Sequence, residues 1–427
     1  MPDHRRIHLK ARRKSTTWFI WIAIVLGLGL IALLGWVNYR YAAENPGGND
    51  FVVHWIGTRS FLYDGLSPYS DETSERIQRF VYGRPARPGE HELRVAYPLY
   101  SVMLFLPFAL IKNFIWARAI WMTVLEIGLA ATALLAARLA RWRPGMWLLI
   151  LYLLFSLVWY HAVRPLINGN AVILVILALV GALLAIRTRQ DEIAGMLLAL
   201  TTIKPQLVVL VLVFIVIWAM AHRRWKIISW LAASVFILSA FAALFLPDWL
   251  WQNLREVVRY PGYNPPGTVA AAFAEFWPGF GRTMGWIFSG VFSLILLVEW
   301  ILHRKADFRG FLWTICLTLV LGGWVGIQND PGNFIMMAPA LPLIFAGLAA
   351  RWQKASLSLI IGSLILLLVG VWAIFLGTVE YAYQPIQSPV MFFPLPAFLL
   401  LMLYWVRWWT IRSSSTWIDR SYEEELA

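Results

Sequence analysis

Long apolar runs parted by short basic turns constrain this chain more than any other feature. Five connectors, 138–143, 187–192, 222–226, 303–309 and 351–354, carry thirteen Lys and Arg against three acids. Cytoplasmic loops of membrane proteins show this bias, so the alternation describes a chain that threads a bilayer repeatedly with its basic turns inside. Composition agrees: 427 residues that are 60% hydrophobic and 14% charged have too few charges to cover a soluble globule of this size. The formal net charge of +13 sits in those turns and in the leading Arg5, Arg6, Lys10, Arg12, Arg13 and Lys14, where it serves to grip anionic headgroups. A nucleic-acid partner is not expected; the lipid bilayer is.

A crossing needs about 20 apolar residues. Segments near 17–37, 114–137, 146–163, 170–186, 193–203, 206–221, 226–246, 284–302, 310–327, 332–349, 356–377 and 391–409 are read as about twelve crossings. The expected fold is therefore an all-α, polytopic transmembrane bundle. It forms one membrane-embedded domain over 1–427 of a cell-membrane protein, with both termini cytoplasmic. The first run exceeds a signal-peptide core and is followed by no clear small-x-small site, so it reads as an uncleaved anchor.

Two outer loops are long, 38–96 and 247–283. In the first, Asp50 to Asp64 and Asp71 to Tyr82 mix aromatics with charge, as interfacial helices do. Tyr97 to Ile111 is apolar but short and holds Pro98 and Pro107; a full crossing there would turn every later basic loop outward, so it reads as re-entrant or interfacial. Ile193 to Ala221 is interrupted by Lys204-Pro205 and reads as two half-length helices meeting at a lysine below the outer headgroups.

This topology gathers Asp50, His54, Arg59, Asp64, Tyr69, Arg94, His161, Arg164, Asn168, Asn170, Lys204, Arg255, Arg259, Tyr260, Asn329 and Asp330 on the outward face. An aspartate there can take a proton from an acceptor hydroxyl, while lysine and arginine stabilise a departing phosphate. Asp50 is the candidate base. Lys204, Arg59, Arg164 and Arg259 are candidate phosphate ligands, with His54, Tyr69, His161, Asn168, Asn170 and Asp330 lining the substrate. Asp64-Gly65 reads as a turn and Asp71 as a helix cap, so no metal is expected. Cys316, the single cysteine, lies in an apolar run and leaves the outer loops without disulfides. Glu126, inside a crossing, reads either as a functional intramembrane acid or as a structural partner of Arg118 two turns earlier.

The run from Gly48-Asn49-Asp50 through Asp64-Gly65-Leu66-Ser67-Pro68-Tyr69 resembles the opening signature of the glycosyltransferase-C superfamily, most closely glycosyltransferase family 87. Tyr97-Pro98-Leu99, Gly169-Asn170 where relatives have Gly-Gln, and Ala194-Gly195 before Lys204-Pro205 extend the resemblance over roughly the first 225 residues. It implies inverting transfer of a hexose, mannose in the first instance, from a polyprenyl-phosphate donor to a glycan, glycolipid or protein acceptor outside the cytoplasm. It also implies Asp50 as general base; no cofactor is expected. The rival reading is a polytopic carrier or flippase of lipid-linked sugars, which needs paired broken helices in both halves.

Overall fold

The computed structural model describes residues 4–45, 47–264, 267–381 and 385–411. The long α1 (His4–Glu44) leads to α2 (Asn49–Asp64), α3 (Asp71–Tyr82) and, through a 3-10 turn at Leu99–Ser101, the short α4 (Val102–Ala109). The middle of the chain is α5 (Phe114–Leu139), α6 (Met146–Val158), α7 (Tyr160–Asn168), α8 (Val172–Arg187), α9 (Asp191–Thr201), α10 (Pro205–Ala221) and α11 (Trp225–Phe245). Then come α12 (Trp249–Tyr263), α13 (Val269–Phe276), α14 (Gly281–His303), α15 (Phe308–Gly322) and a 3-10 segment at Pro331–Met337. The chain continues with α16 (Ala340–Ile365), α17 (Val371–Thr378), α18 (Pro394–Trp405) and α19 (Arg407–Ile411). Among the described residues the one β-ladder pairs Glu380-Tyr381 with Pro385-Ile386.

Local chemistry sets these boundaries. The Asn113 side chain accepts from Trp116 N at the start of α5, and Asp307 accepts from Gly310 N at the start of α15. Pro205 opens α10, where its fixed φ suits a first turn and its missing N–H goes unneeded. The preceding α9 stops at Thr201, so the run 193–221 breaks at Lys204 into two helices, as read from the sequence. The helices α5, α8 and α10 each end in a basic turn with an arginine in left-handed conformation, Arg141, Arg189 and Arg223.

Five segments are long and apolar enough to cross a membrane: Ile24–Glu44, Phe114–Leu139, Trp225–Phe245, Gly281–His303 and Ala340–Thr378. The pair α6 and α7, bent by 46°, brings the number to six. The twelve crossings expected are therefore not reached by length. The other apolar helices are shorter: the 16 residues of α8 rise about 24 Å against a hydrocarbon core of about 30 Å. Burial makes such short elements tolerable. Nearly all of α15 and much of α8 lie inside the bundle, shielded from lipid by their neighbours. By contrast α1, α11 and α14 present Leu, Ile, Val, Phe and Trp outward. One further detail differs from the sequence reading: helix α1 runs on to Glu44, so the first connection starts at Asn45 and not at residue 38. Residues 99–109 are helical for too short a stretch to cross, in line with the reading of that segment as one that does not span.

Candidate active site

Asp50 is placed by a pinned loop. Gly48 precedes α2 at φ 77°, a conformation glycine adopts without strain, and a Cβ there would stand 2.8 Å from Arg118 Nε. Arg118 projects from α5, is almost fully buried, and donates to Asn45 O at 2.7 Å and Ile167 O at 3.3 Å. One side chain thus ties the loop before Asp50 to the end of α7. One reading of the sequence pairs Arg118 with Glu126. Eight residues of helix separate them by about 12 Å, and Glu126 instead accepts from Asn38 Nδ2 at 2.9 Å.

The turn between α7 and α8 closes on Asp50 from the other side. Gly169 sits at φ 70°, and a Cβ on it would meet Phe51 Cβ at 2.5 Å, so only glycine lets α2 approach this closely. Phe51 stacks on Trp121 at 5.6 Å, and Trp121 Nε1 donates to Gly169 O at 2.8 Å. The next residue, Asn170, then reaches the centre. Its Nδ2 donates to Asp50 Oδ2 at 2.8 Å, while its Oδ1 accepts from Lys204 Nζ at 2.8 Å. Lys204 also donates to Asn333 Oδ1 at 3.1 Å, and its ammonium lies 5.2 Å from the Tyr97 ring centre. Only 5% of Lys204 is exposed. A buried cation is costly unless partnered, and here two amide oxygens and an aromatic face partner it.

Asp50 itself is half-buried and keeps access to solvent. Burial raises its carboxyl above the usual range and Lys204 opposes that rise; Asp330 adds to it, and the Asn170 hydrogen bond works against it. His54, one turn along α2, is sandwiched between Tyr97 and Phe105 with ring centres 4.0 and 4.6 Å away. Burial, then repulsion from Lys204, pushes its imidazole down to about 3, so it stays neutral at physiological pH. Asp330 caps the Pro331–Met337 turn through Gly332 N and lies 3.8 Å from Arg164 Nε. That Nε is buried without a hydrogen-bond partner. His161 Nδ1 lies 3.0 Å from Pro331 O, and Asn168 ends α7 one residue before the pinned turn.

Asp50, His54, His161, Arg164, Asn168, Asn170, Lys204 and Asp330 thus share one region. Arg59 and Arg259 do not join it. Nine residues after Asp50, Arg59 falls on the opposite face of α2, donates to Ala109 O at 2.6 Å and lies over Trp55 and Tyr63. Arg259 pairs with Glu92 at 3.0 Å and Asp71 at 3.6 Å, beside the buried Arg94, which contacts the same two acids and Glu256. Tyr69 donates its hydroxyl to Tyr97 O at 2.8 Å and buttresses the wall. The helix cap expected of Asp71 belongs to Ser70, which accepts from Thr73 N. Asn333 and Arg118 are the contributors that sequence reasoning missed. Among the described residues no three His, Cys, Asp or Glu side chains converge as metal ligands would.

The family model for glycosyltransferase family 87 matches residues 96–326, more than half of the chain. The match holds Tyr97, Asn170 and Lys204; Asp50 and Asn333 reach them from outside it. It runs well past residue 225, where the sequence resemblance had stopped, and starts after the first loop. No curated protein and no solved structure matches the chain.

Proposed function

As the chain belongs to glycosyltransferase family 87, we propose that this membrane glycosyltransferase moves a hexose, mannose, from a polyprenyl-phosphate donor to a glycan, glycolipid or protein acceptor. Transfer takes place on the extracytoplasmic face, with inversion. One observation carries the reading: a single amide, Asn170, bridges a carboxylate and an ammonium, Asp50 and Lys204. Asp50 takes the proton of the acceptor hydroxyl as its oxygen bonds to the anomeric carbon. The bond from that carbon to the phosphate oxygen breaks with its electron pair, and Lys204 and Arg164, whose Nε makes no hydrogen bond of its own, stabilise the leaving phosphate. Attack opposite the leaving group in one displacement inverts the centre.

The surroundings of Lys204 suit a lipid donor. Pro205, Gln206, Val209 and Val213 are exposed on the outside of α10. A small cavity of about 20 Å³ between α10 and α15 is lined by Gln206, Leu210, Gly322, Gly323 and Asn333, the last of which is a partner of the lysine. A prenyl chain lying in the bilayer along this exposed face of α10 would bring its phosphate towards Lys204.

The test is transfer by the reconstituted protein from labelled polyprenyl-phosphate mannose or from a nucleotide-activated mannose, with the product anomer read by NMR. Transfer from the lipid donor alone, with the anomeric configuration reversed, is the expected result. Transfer from the nucleotide sugar alone, or retained configuration, would overturn the reading.

A further inference from the structure

The far end of α5 holds a second polar feature that the transfer reaction does not use. Arg118, at the active site, and Arg138 stand about 30 Å apart along α5, since twenty residues rise 1.5 Å each. At that distant end the turns after α5 and α8 converge on a recess of about 730 Å³. Its size falls within the range of about 300–1,000 Å³ typical of small-molecule sites. Arg138, Arg141, Arg143 and Arg187 line it, together with Leu134 and Leu149.

Its charge is uncompensated. Arg187 donates to Arg138 O and Leu139 O, at 2.8 and 3.0 Å, which fixes one cation at the recess wall. None of the four arginines has a carboxylate within 4.0 Å among the described residues; the nearby Asp191 and Glu192 are taken by Arg224 and Lys226. Leu134 is exposed on the outside of α5, and Trp147, 85% exposed at the start of α6, marks the level of a membrane interface. Four unpaired cations, apolar walls and a lipid-facing mouth are what an anionic headgroup on acyl chains requires. Other basic turns also meet, as those after α8 and α10 do, but there Asp191 and Glu192 neutralise Arg224 and Lys226.

We propose that this recess is a binding site for an anionic phospholipid, its phosphate among Arg138, Arg141, Arg143 and Arg187 and an acyl chain along Leu134 and Leu149. The site lies at the membrane face opposite Asp50 and is separate from the donor site.

The test is native mass spectrometry, with thermal unfolding alongside, of full-length protein in mixed phosphatidylglycerol and phosphatidylcholine. Wild type should retain phosphatidylglycerol selectively and unfold at higher temperature in its presence. The variant Arg138→Gln/Arg141→Gln/Arg143→Gln should bind it about a hundredfold more weakly. A control, Arg304→Gln/Lys305→Gln, removes the same kind of charge from another basic turn and should bind like wild type. Should the triple variant fail to fold, Arg143→Gln, at an exposed position, should still give a severalfold loss. Equal retention of both lipids by wild type, or equal loss in the control, would overturn the proposal. So would full stabilisation by inorganic phosphate alone, because the occupant would then be a free anion.

Discussion

At the scale of single residues the account rests on the amide of Asn170, which serves Asp50 with its nitrogen and Lys204 with its oxygen. Asn170→Ala removes both services, so transfer should fall about a hundredfold, the usual cost of losing one preorganised donor, with little change in donor affinity. Steady-state kinetics with separated kcat and KM checks this. The pH profile follows from Asp50. A protonated carboxyl cannot accept the acceptor's proton, so activity must fall as pH drops through its pKa. Burial raises that pKa, so the acid limb should lie above the ordinary aspartate value of about 3.9. Lys204→Met removes the positive charge that opposes the rise and should move the limb to still higher pH in the residual activity. His54, held neutral by burial, should contribute no limb of its own between pH 5 and 8.

At the scale of elements, what matters is how closely α2 meets the turn between α7 and α8. Gly169→Ala forces a side chain into left-handed backbone, at roughly 1–2 kcal/mol, and into Phe51. Thermal unfolding should register that loss, and kcat should drop with it because Asn170 is displaced. Arg118→Met leaves the carbonyls of Asn45 and Ile167 without their donor. It should lower kcat at least tenfold while KM for donor changes little; an unchanged kcat would show that the loop before Asp50 needs no such tie.

Elements such as these were unevenly legible in the sequence. The helices at 49–64 and 71–82 were readable from their mix of aromatics and charge, and the break at Lys204-Pro205 because proline's effect on a helix is local. The role of Gly169-Asn170 was not, since it depends on Phe51 and Trp121 arriving from distant segments. Asn333 gave no sign beyond a Pro-Gly turn, and the direction of Arg118 was set by tertiary packing that helical spacing does not reveal.

At the scale of the whole molecule, hydropathy identified a membrane bundle, and of the twelve crossings expected five or six segments are long and apolar enough to span on their own. An apolar run looks alike whether lipid or protein surrounds it, and α8 and α15 are clad by protein. The orientation has its own test. Cys316 is buried, so single cysteines can be read against a quiet background. Exposed Arg143→Cys should label only from the cytoplasmic side and exposed Arg87→Cys only from outside; the reverse pattern would put the active site in the cytoplasm. The most direct test of the central claim is single-turnover transfer from polyprenyl-phosphate mannose, comparing wild type with Asp50→Asn in the same bilayer while donor binding is followed in parallel. Loss of about 10²–10⁴-fold in rate with donor binding retained is the predicted result. Equal rates would remove Asp50 from the chemistry and contradict the account.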